Sequence, residues 1–179
     1  VPLNKLRAST LEFVLFYICL GLSGGLFAFA AIEDFRKWKI RNRTVFALIG
    51  AYIVVAGIGL STTDIQLAGL VDPLNDLGAA ALLFAIGFVL WGLKMLGAGD
   101  AKLLFPVGLF VGWTHLLLFS IGLVVFAVVP LIGLRLPHLN LIAHTRIGLR
   151  LLEIRDTKKI PYGVVIVAAL YLVIFVKFV

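Results

Sequence analysis

The residues able to do chemistry are few. The chain of 179 residues has only nine carboxylates, so each can be placed. Asp64, Asp72 and Asp76 fall in or at the edge of one inter-segment loop, Glu12 lies near the start of the first apolar run, and Glu153 and Asp156 sit in a late basic stretch. Glu33, Asp34 and Asp100 remain, all at the ends of apolar runs. A carboxylate there is costly unless it faces protein or water. Two carboxyl groups that meet can hydrolyse an amide. One takes a proton from water while the other, protonated, polarises the carbonyl. Like charges in close contact cannot both ionise, which keeps one proton on the pair near neutral pH.

Asp100 lies in Gly97-Ala98-Gly99-Asp100-Ala101-Lys102, a turn between apolar helices. Glycine permits positive φ and close approach of another chain segment. The plainer reading is a tight turn with Asp100 as a helix N-cap. Asp34 lies in Asp34-Phe35-Arg36-Lys37-Trp38-Lys39-Ile40-Arg41-Asn42. Its plainer reading is a helix-end carboxylate balanced by nearby arginines. Glu33 is about 100° from Asp34 around a helix, so the two cannot share one face. Helix-end electrostatics, taken alone, put a shared proton on Asp34, at a helix C-terminus, and the charge on Asp100, at an N-terminus.

The elements that must position these groups are membrane helices. The chain is 62% hydrophobic and 14% charged, with a mean hydropathy of +1.13. Soluble domains are about half apolar and about 25% charged, so lipid must cover the excess. We expect an all-α polytopic membrane protein with about six transmembrane helices, forming a single domain over residues 1–179. The spans run near Leu11–Ile32, Thr44–Leu60, Leu77–Leu93, Lys102–Gly112, Leu116–Leu134 and Pro161–Phe178. The stretch 102–134 is long for one span and short for two, and Gly112-Trp113-Thr114-His115 breaks it. Gly21 and Gly25 have the GxxxG spacing that permits close helix packing.

Six spans put 13 of the 16 Lys and Arg residues on one side, in the 34–43, 94–102 and 135–160 segments. The positive-inside rule makes that side cytoplasmic. Asp34 and Asp100 are then at the same depth, on the cytoplasmic side. Within 135–160, Leu139, Ile142, Ile147, Leu151 and Ile154 form an apolar stripe opposite Arg146, Arg150 and Arg155. An interfacial helix and a solvated basic loop fit this pattern equally.

The formal net charge of +7 fits cytoplasmic loops on anionic lipid. No stretch carries a nucleic-acid recognition module, so no nucleic-acid partner is expected. Cys19 is the only cysteine, which excludes an intramolecular disulfide and a cysteine metal site. His115, His138 and His144 have no i,i+3 or i,i+4 partner among themselves, so no histidine metal site is expected. The first apolar run leads into a basic stretch rather than a small-residue cleavage site, and reads as a span, not a removed signal.

Three motifs together resemble the prepilin peptidase family, the GxGD-type membrane aspartic peptidases. Gly97-x-Gly99-Asp100-x-Lys102-Leu103 is similar to its GxGDxKL motif. Asp34 leading to Ile40-x-Asn42 resembles its first-aspartate motif, and Ile160-Pro161-Tyr162-Gly163 its terminal IPYG element. Arg41 departs from the pattern, standing where the family usually has proline. The resemblance implies that Asp34 and Asp100 are catalytic, Asp34 rather than Glu33 being the first. It implies that Gly97, Gly99, Lys102, Asn42, Pro161, Tyr162 and Gly163 shape the site or bind substrate, and that no metal or organic cofactor is needed. The implied substrate is a type IV prepilin or pseudopilin, cut where its leader meets its apolar helix, at the cytoplasmic face of the inner (plasma) membrane. The chain has no cysteine cluster or room for a methyltransferase region, and so resembles the short, peptidase-only type of tight-adherence (Flp) pilus systems.

Two other functions stay open. A presenilin-like intramembrane protease also uses a GxGD aspartate, but sets its aspartates deeper and lacks the Asp…IxN element. A small transporter or assembly scaffold could use Asp34 and Asp100 as ion ligands or helix caps, and would keep its function when caps become Asn.

Overall fold

A computed structural model describes residues 3–61, 70–133, 153 and 161–178. Among them the chain is helical, with no strand: α1 (Leu3–Lys37), α2 (Asn42–Ser61), α3 (Pro73–Gly92), α4 (Ala98–Val111), a 3₁₀ turn at Trp113–His115, α5 (Leu116–Gly133) and α6 (Tyr162–Phe178). The 135–160 segment, with its expected interfacial helix, lies outside the described residues but for Glu153. So does Ile160.

The six expected segments are the six helices; five lie within about four residues of their expected ends, whereas α1 runs from Leu3 to Lys37, well beyond the expected Leu11–Ile32 at both ends. Three of them, α1 from Thr10 onward, α2 and α3, are individually long and apolar enough to cross a bilayer. At 1.5 Å per residue, the 35 residues of α1 extend about 53 Å, well beyond a hydrocarbon core of about 30 Å. The 14 residues of α4 extend only about 21 Å. The chain direction turns by 106° between α4 and the helix that follows. Gly112 makes that turn at φ +70°, where an added Cβ would lie 2.5 Å from Asp76 Oδ1. Only glycine satisfies both conditions there.

The short helix is the central one. Almost every residue of α4 from Asp100 to Val111 is buried, because α3, α6 and α2 all pack on it. Leu103, Val107 and Val111 are fully enclosed with Phe27, Leu48 and Leu170. Phe110 receives Phe27 and Tyr52 edge-on, at centroid distances of 5.3 and 5.5 Å. The closest approach is the antiparallel α3–α4 pair. A Cβ on Gly87 would sit 3.2 Å from Ala101 Cα, and one on Gly108 would collide with the Ala80 backbone. Outward faces carry Phe46, Leu74 and Leu117, all strongly exposed, as lipid contact requires.

The expectation that Gly21 and Gly25 pack helices closely does not hold within the chain. Both are exposed, and a Cβ on either meets nothing within 4 Å. The neighbouring Gly24 faces inward instead, and its carbonyl accepts a 2.6 Å bond from the Tyr171 hydroxyl of α6. The GxxxG spacing recorded two small residues on one stripe, but the face turned to the bundle is a different one.

Candidate active site

The C-terminal end of α1 builds the first half of the site. Asp34 stands in the last turn of α1. Trp38 then ends the helix at φ +53°, with its N–H donating to the Asp34 carbonyl at 2.8 Å. A left-handed tryptophan is strained, since its Cβ crowds the backbone. Strain of this kind collects at functional sites. Residues 39–41 run without helix, and α2 begins at Asn42. The Arg41 carbonyl accepts from the N–H groups of Thr44 and Val45 at 3.1 and 3.3 Å.

The start of α4 builds the second half. Gly97 caps the helix at φ −69° and ψ 146°. Of the two uses foreseen for these glycines, only close approach applies. A Cβ on Gly97 would lie 2.8 Å from Asp100 Oδ2, and one on Gly99 would lie 3.2 Å from Ile40 N. The GxG spacing therefore makes room for the Asp100 carboxyl on one side and for the turn after Asp34 on the other. Asp100 sits in the first turn, not at the N-cap, which is Gly97. Its carboxyl is within reach of the Gly97 N–H, a partial capping role. Yet Asp100 Oδ1 is buried with no hydrogen-bond partner among the described residues, which a group serving only as a cap would not leave.

The start of α6 joins the two halves. The Gly163 N–H donates to Asp34 Oδ2 at 2.9 Å, and the same backbone N–H is within reach of the Asp100 carboxyl. Asp100 also lies in the electrostatic field of Asp34. A Cβ on Gly163 would meet Asp34 Oδ2 at 2.8 Å and Asp34 Cβ at 2.9 Å, so glycine alone fits here. Asp34 and Asp100 are 5% and 8% exposed, and both line one open cleft of about 640 Å³. Trp38, Lys39, Ile40, Arg41, Asn42, Gly97, Gly99 and Lys102 are among its walls. Across it, Lys102 Nζ donates to Asn42 Oδ1 at 3.1 Å, tying the second motif to the first.

Residues from three separate stretches thus converge on one pair of buried carboxyl groups. The model of the type IV leader peptidase family matches residues 20–132, more than half of the chain. The chain belongs to that family. The prepilin peptidases it comprises are leader-cleaving enzymes, so this chain is a peptidase. The matched span holds both aspartates, Asn42, both motif glycines and Lys102, and stops before Pro161-Tyr162-Gly163. No curated protein and no solved structure gives a significant match to the chain.

Of the nine residues singled out from sequence, seven are gathered at the carboxyl pair. Asp34, Asn42, Gly97, Gly99, Asp100 and Lys102 line the cleft, and Gly163 bonds Asp34 behind it. Pro161 is buried ahead of α6 and Tyr162 is exposed at its first position; neither is among the cleft walls. Among the described residues no group of three or more His, Cys, Asp or Glu is arranged to hold a metal.

Two clusters escaped sequence reasoning. Glu33 is buried, pairing with Arg41 Nε at 3.2 Å and accepting from Thr44 Oγ1 at 3.0 Å. At the opposite end of the bundle Asp76, foreseen at a loop edge, is buried and accepts from the Tyr52 hydroxyl at 2.6 Å. Lys177 stands near it, its Nζ 3.4 Å from the Phe110 carbonyl. A buried carboxylate needs such partners; those of Glu33 lie across a turn and those of Asp76 come from α2 and α6, and no local spacing announces them.

Proposed function

We propose that the chain is an aspartic endopeptidase that removes the leader of type IV prepilin- or pseudopilin-like substrates. One observation carries the reading: Asp34 and Asp100, both buried, line one cleft, where the Gly163 N–H donates to Asp34 Oδ2. In the reaction the ionised carboxylate takes a proton from water, and the oxygen attacks the scissile carbonyl carbon. The protonated carboxyl gives its proton to the carbonyl oxygen, forming a tetrahedral diol. Collapse of the diol returns a hydroxyl proton to the carboxylate that gave one up and breaks the C–N bond, while the proton taken from water passes to the leaving amine. The pair ends with the one proton it began with.

The location of the pair supports cleavage at a membrane edge. Asp34 is in the last turn of the long α1 and Asp100 in the first turn of α4, next to the basic residues Arg36, Lys37, Lys39, Arg41 and Arg43. The positive-inside rule makes that edge cytoplasmic. An inner-membrane enzyme so oriented meets a substrate whose leader is in the cytoplasm and whose apolar helix is in the bilayer. The test is co-expression with a candidate prepilin, following leader removal by mass. Removal by the wild type and none by Asp100→Ala is the expected result. Equal removal by Asp100→Ala would defeat the reading.

A further inference from the structure

We propose that Glu33, Arg41 and Thr44 form a clamp that holds the turn after Asp34 in shape, a task that a proline at position 41 would perform by backbone stiffness alone. All three are positioning residues. Glu33 leaves the last turn of α1 beside Asp34, yet its carboxylate is turned into protein, 6% exposed, while Arg41 is 61% exposed. Its two oxygens take different partners across the turn: Oε1 pairs with Arg41 Nε at 3.2 Å, and Oε2 accepts from Thr44 Oγ1 at 3.0 Å. Arg41 directly precedes α2 and Thr44 stands in its first turn, where the Arg41 carbonyl also receives the Thr44 N–H. The clamp therefore closes residues 34–41 into a loop pinned at both ends.

That loop needs pinning. Trp38 is held at φ +53°, a conformation that relaxes unless its surroundings fix it. Ile40, buried at 5%, presses its backbone against Gly99, and Gly99 precedes Asp100. A shift of the turn is thus passed to both carboxyl groups. Proline at position 41 would fix φ and restrict Ile40 as well. Arg41 lacks that stiffness and supplies a side-chain tie in its place. Nothing in the backbone forbids the exchange: both residues lie outside helix, neither has positive φ, and among the described residues no backbone carbonyl accepts from the Arg41 N–H.

Two readouts test the clamp, and only the second rests on the proposed peptidase reading. The first is hydrogen exchange at the amides of Trp38, Lys39 and Ile40, with the protein in lipid nanodiscs. Arg41→Ala should speed exchange by about threefold or more, and Arg41→Pro should return it to the wild-type rate. The second is cleavage of a prepilin-type substrate. Arg41→Ala should lower kcat on the order of tenfold with KM little changed. Arg41→Pro should restore it to within about threefold. Glu33→Gln, whose amide oxygen can accept from Arg41 Nε and whose NH2 can donate to Thr44 Oγ1, keeps the geometry without the ion pair and should lose less rate than Arg41→Ala; a larger loss than Arg41→Ala overturns the clamp. A side chain that merely contacted substrate or supplied charge would be lost equally in Arg41→Ala and Arg41→Pro, and that result overturns the proposal. Unchanged exchange in Arg41→Ala also overturns it, as does faster exchange with unchanged kcat. A wild-type protein that cleaves no such substrate would instead sink the peptidase substrate reading and leave the exchange result to judge the clamp.

Discussion

Replacing Gly163 by alanine is the sharpest single perturbation of the site. The added methyl would stand 2.9 Å from Asp34 Cβ, 3.0 Å from its Cγ and 2.8 Å from its Oδ2. Ordinary contact begins near 3.4 Å, so the two segments must part by about 0.5 Å at the Cβ. The carboxyl oxygen could rotate away, but Cβ is fixed to the backbone of α1. Parting the segments stretches the 2.9 Å bond from the Gly163 N–H to Asp34 Oδ2. Overpacking of this size costs about 1–3 kcal/mol, which a folded bundle can absorb. A reacting group displaced by up to about 1 Å loses rate by up to about 10²-fold. Gly163→Ala should therefore be a folded protein with kcat lowered on the order of tenfold. Gly21→Ala and Gly25→Ala, where nothing lies within 4 Å, are the controls and should be indistinguishable from wild type. The assay is single-turnover cleavage of a prepilin-type substrate in proteoliposomes, with a melting curve for each variant. A Gly163→Ala enzyme with wild-type kcat would refute the placement of this backbone against Asp34.

Three further outcomes are expected. Lys94 closes α3 at φ +60°, with Met95 N–H on the Leu90 carbonyl at 2.9 Å; this helix end favours glycine, so Lys94→Gly should stabilise the protein by about 1 kcal/mol, read as a raised melting temperature in detergent. Asp76→Ala strips the buried Tyr52 hydroxyl of its acceptor and should destabilise by about 1–3 kcal/mol, while Asp76→Asn, which keeps an acceptor, should cost less in the same melting assay. In a Cys19→Ser background, Ala68→Cys should react with a membrane-impermeant thiol reagent in intact cells and Thr145→Cys should not; labelling of both would break the proposed orientation.

The helices were legible because hydropathy alone decides them: lipid requires long uncharged runs, and each run found became a helix. The break at Gly112 was legible from Gly112-Trp113-Thr114-His115, whose polar character interrupts an apolar stretch. Rotation about the helix axis was not. Gly21 and Gly25 matched a packing motif yet face outward, because in a helix apolar on all sides no pattern marks the buried face. The two motif glycines were legible as a close approach, but what approaches, the Asp100 carboxyl at Gly97 and the Ile40 backbone at Gly99, needed the third dimension. The clamp at Glu33 was hidden because its partners lie across a turn whose shape Arg41 itself helps to set.

The central claim is that Asp34 and Asp100 act as one unit, and a double-mutant cycle on cleavage measures that directly. Asp34→Asn, Asp100→Asn and the double variant would be assayed in proteoliposomes against one prepilin-type substrate, after confirming equal melting temperatures. Each single change removes the proton traffic of the whole pair, so each should lower kcat by about 10²–10⁴-fold. The double variant should then be no worse than either single one, because groups that work together are lost together. Losses that multiply in the double variant, or a single Asn variant that keeps near-normal cleavage, would contradict a shared catalytic pair.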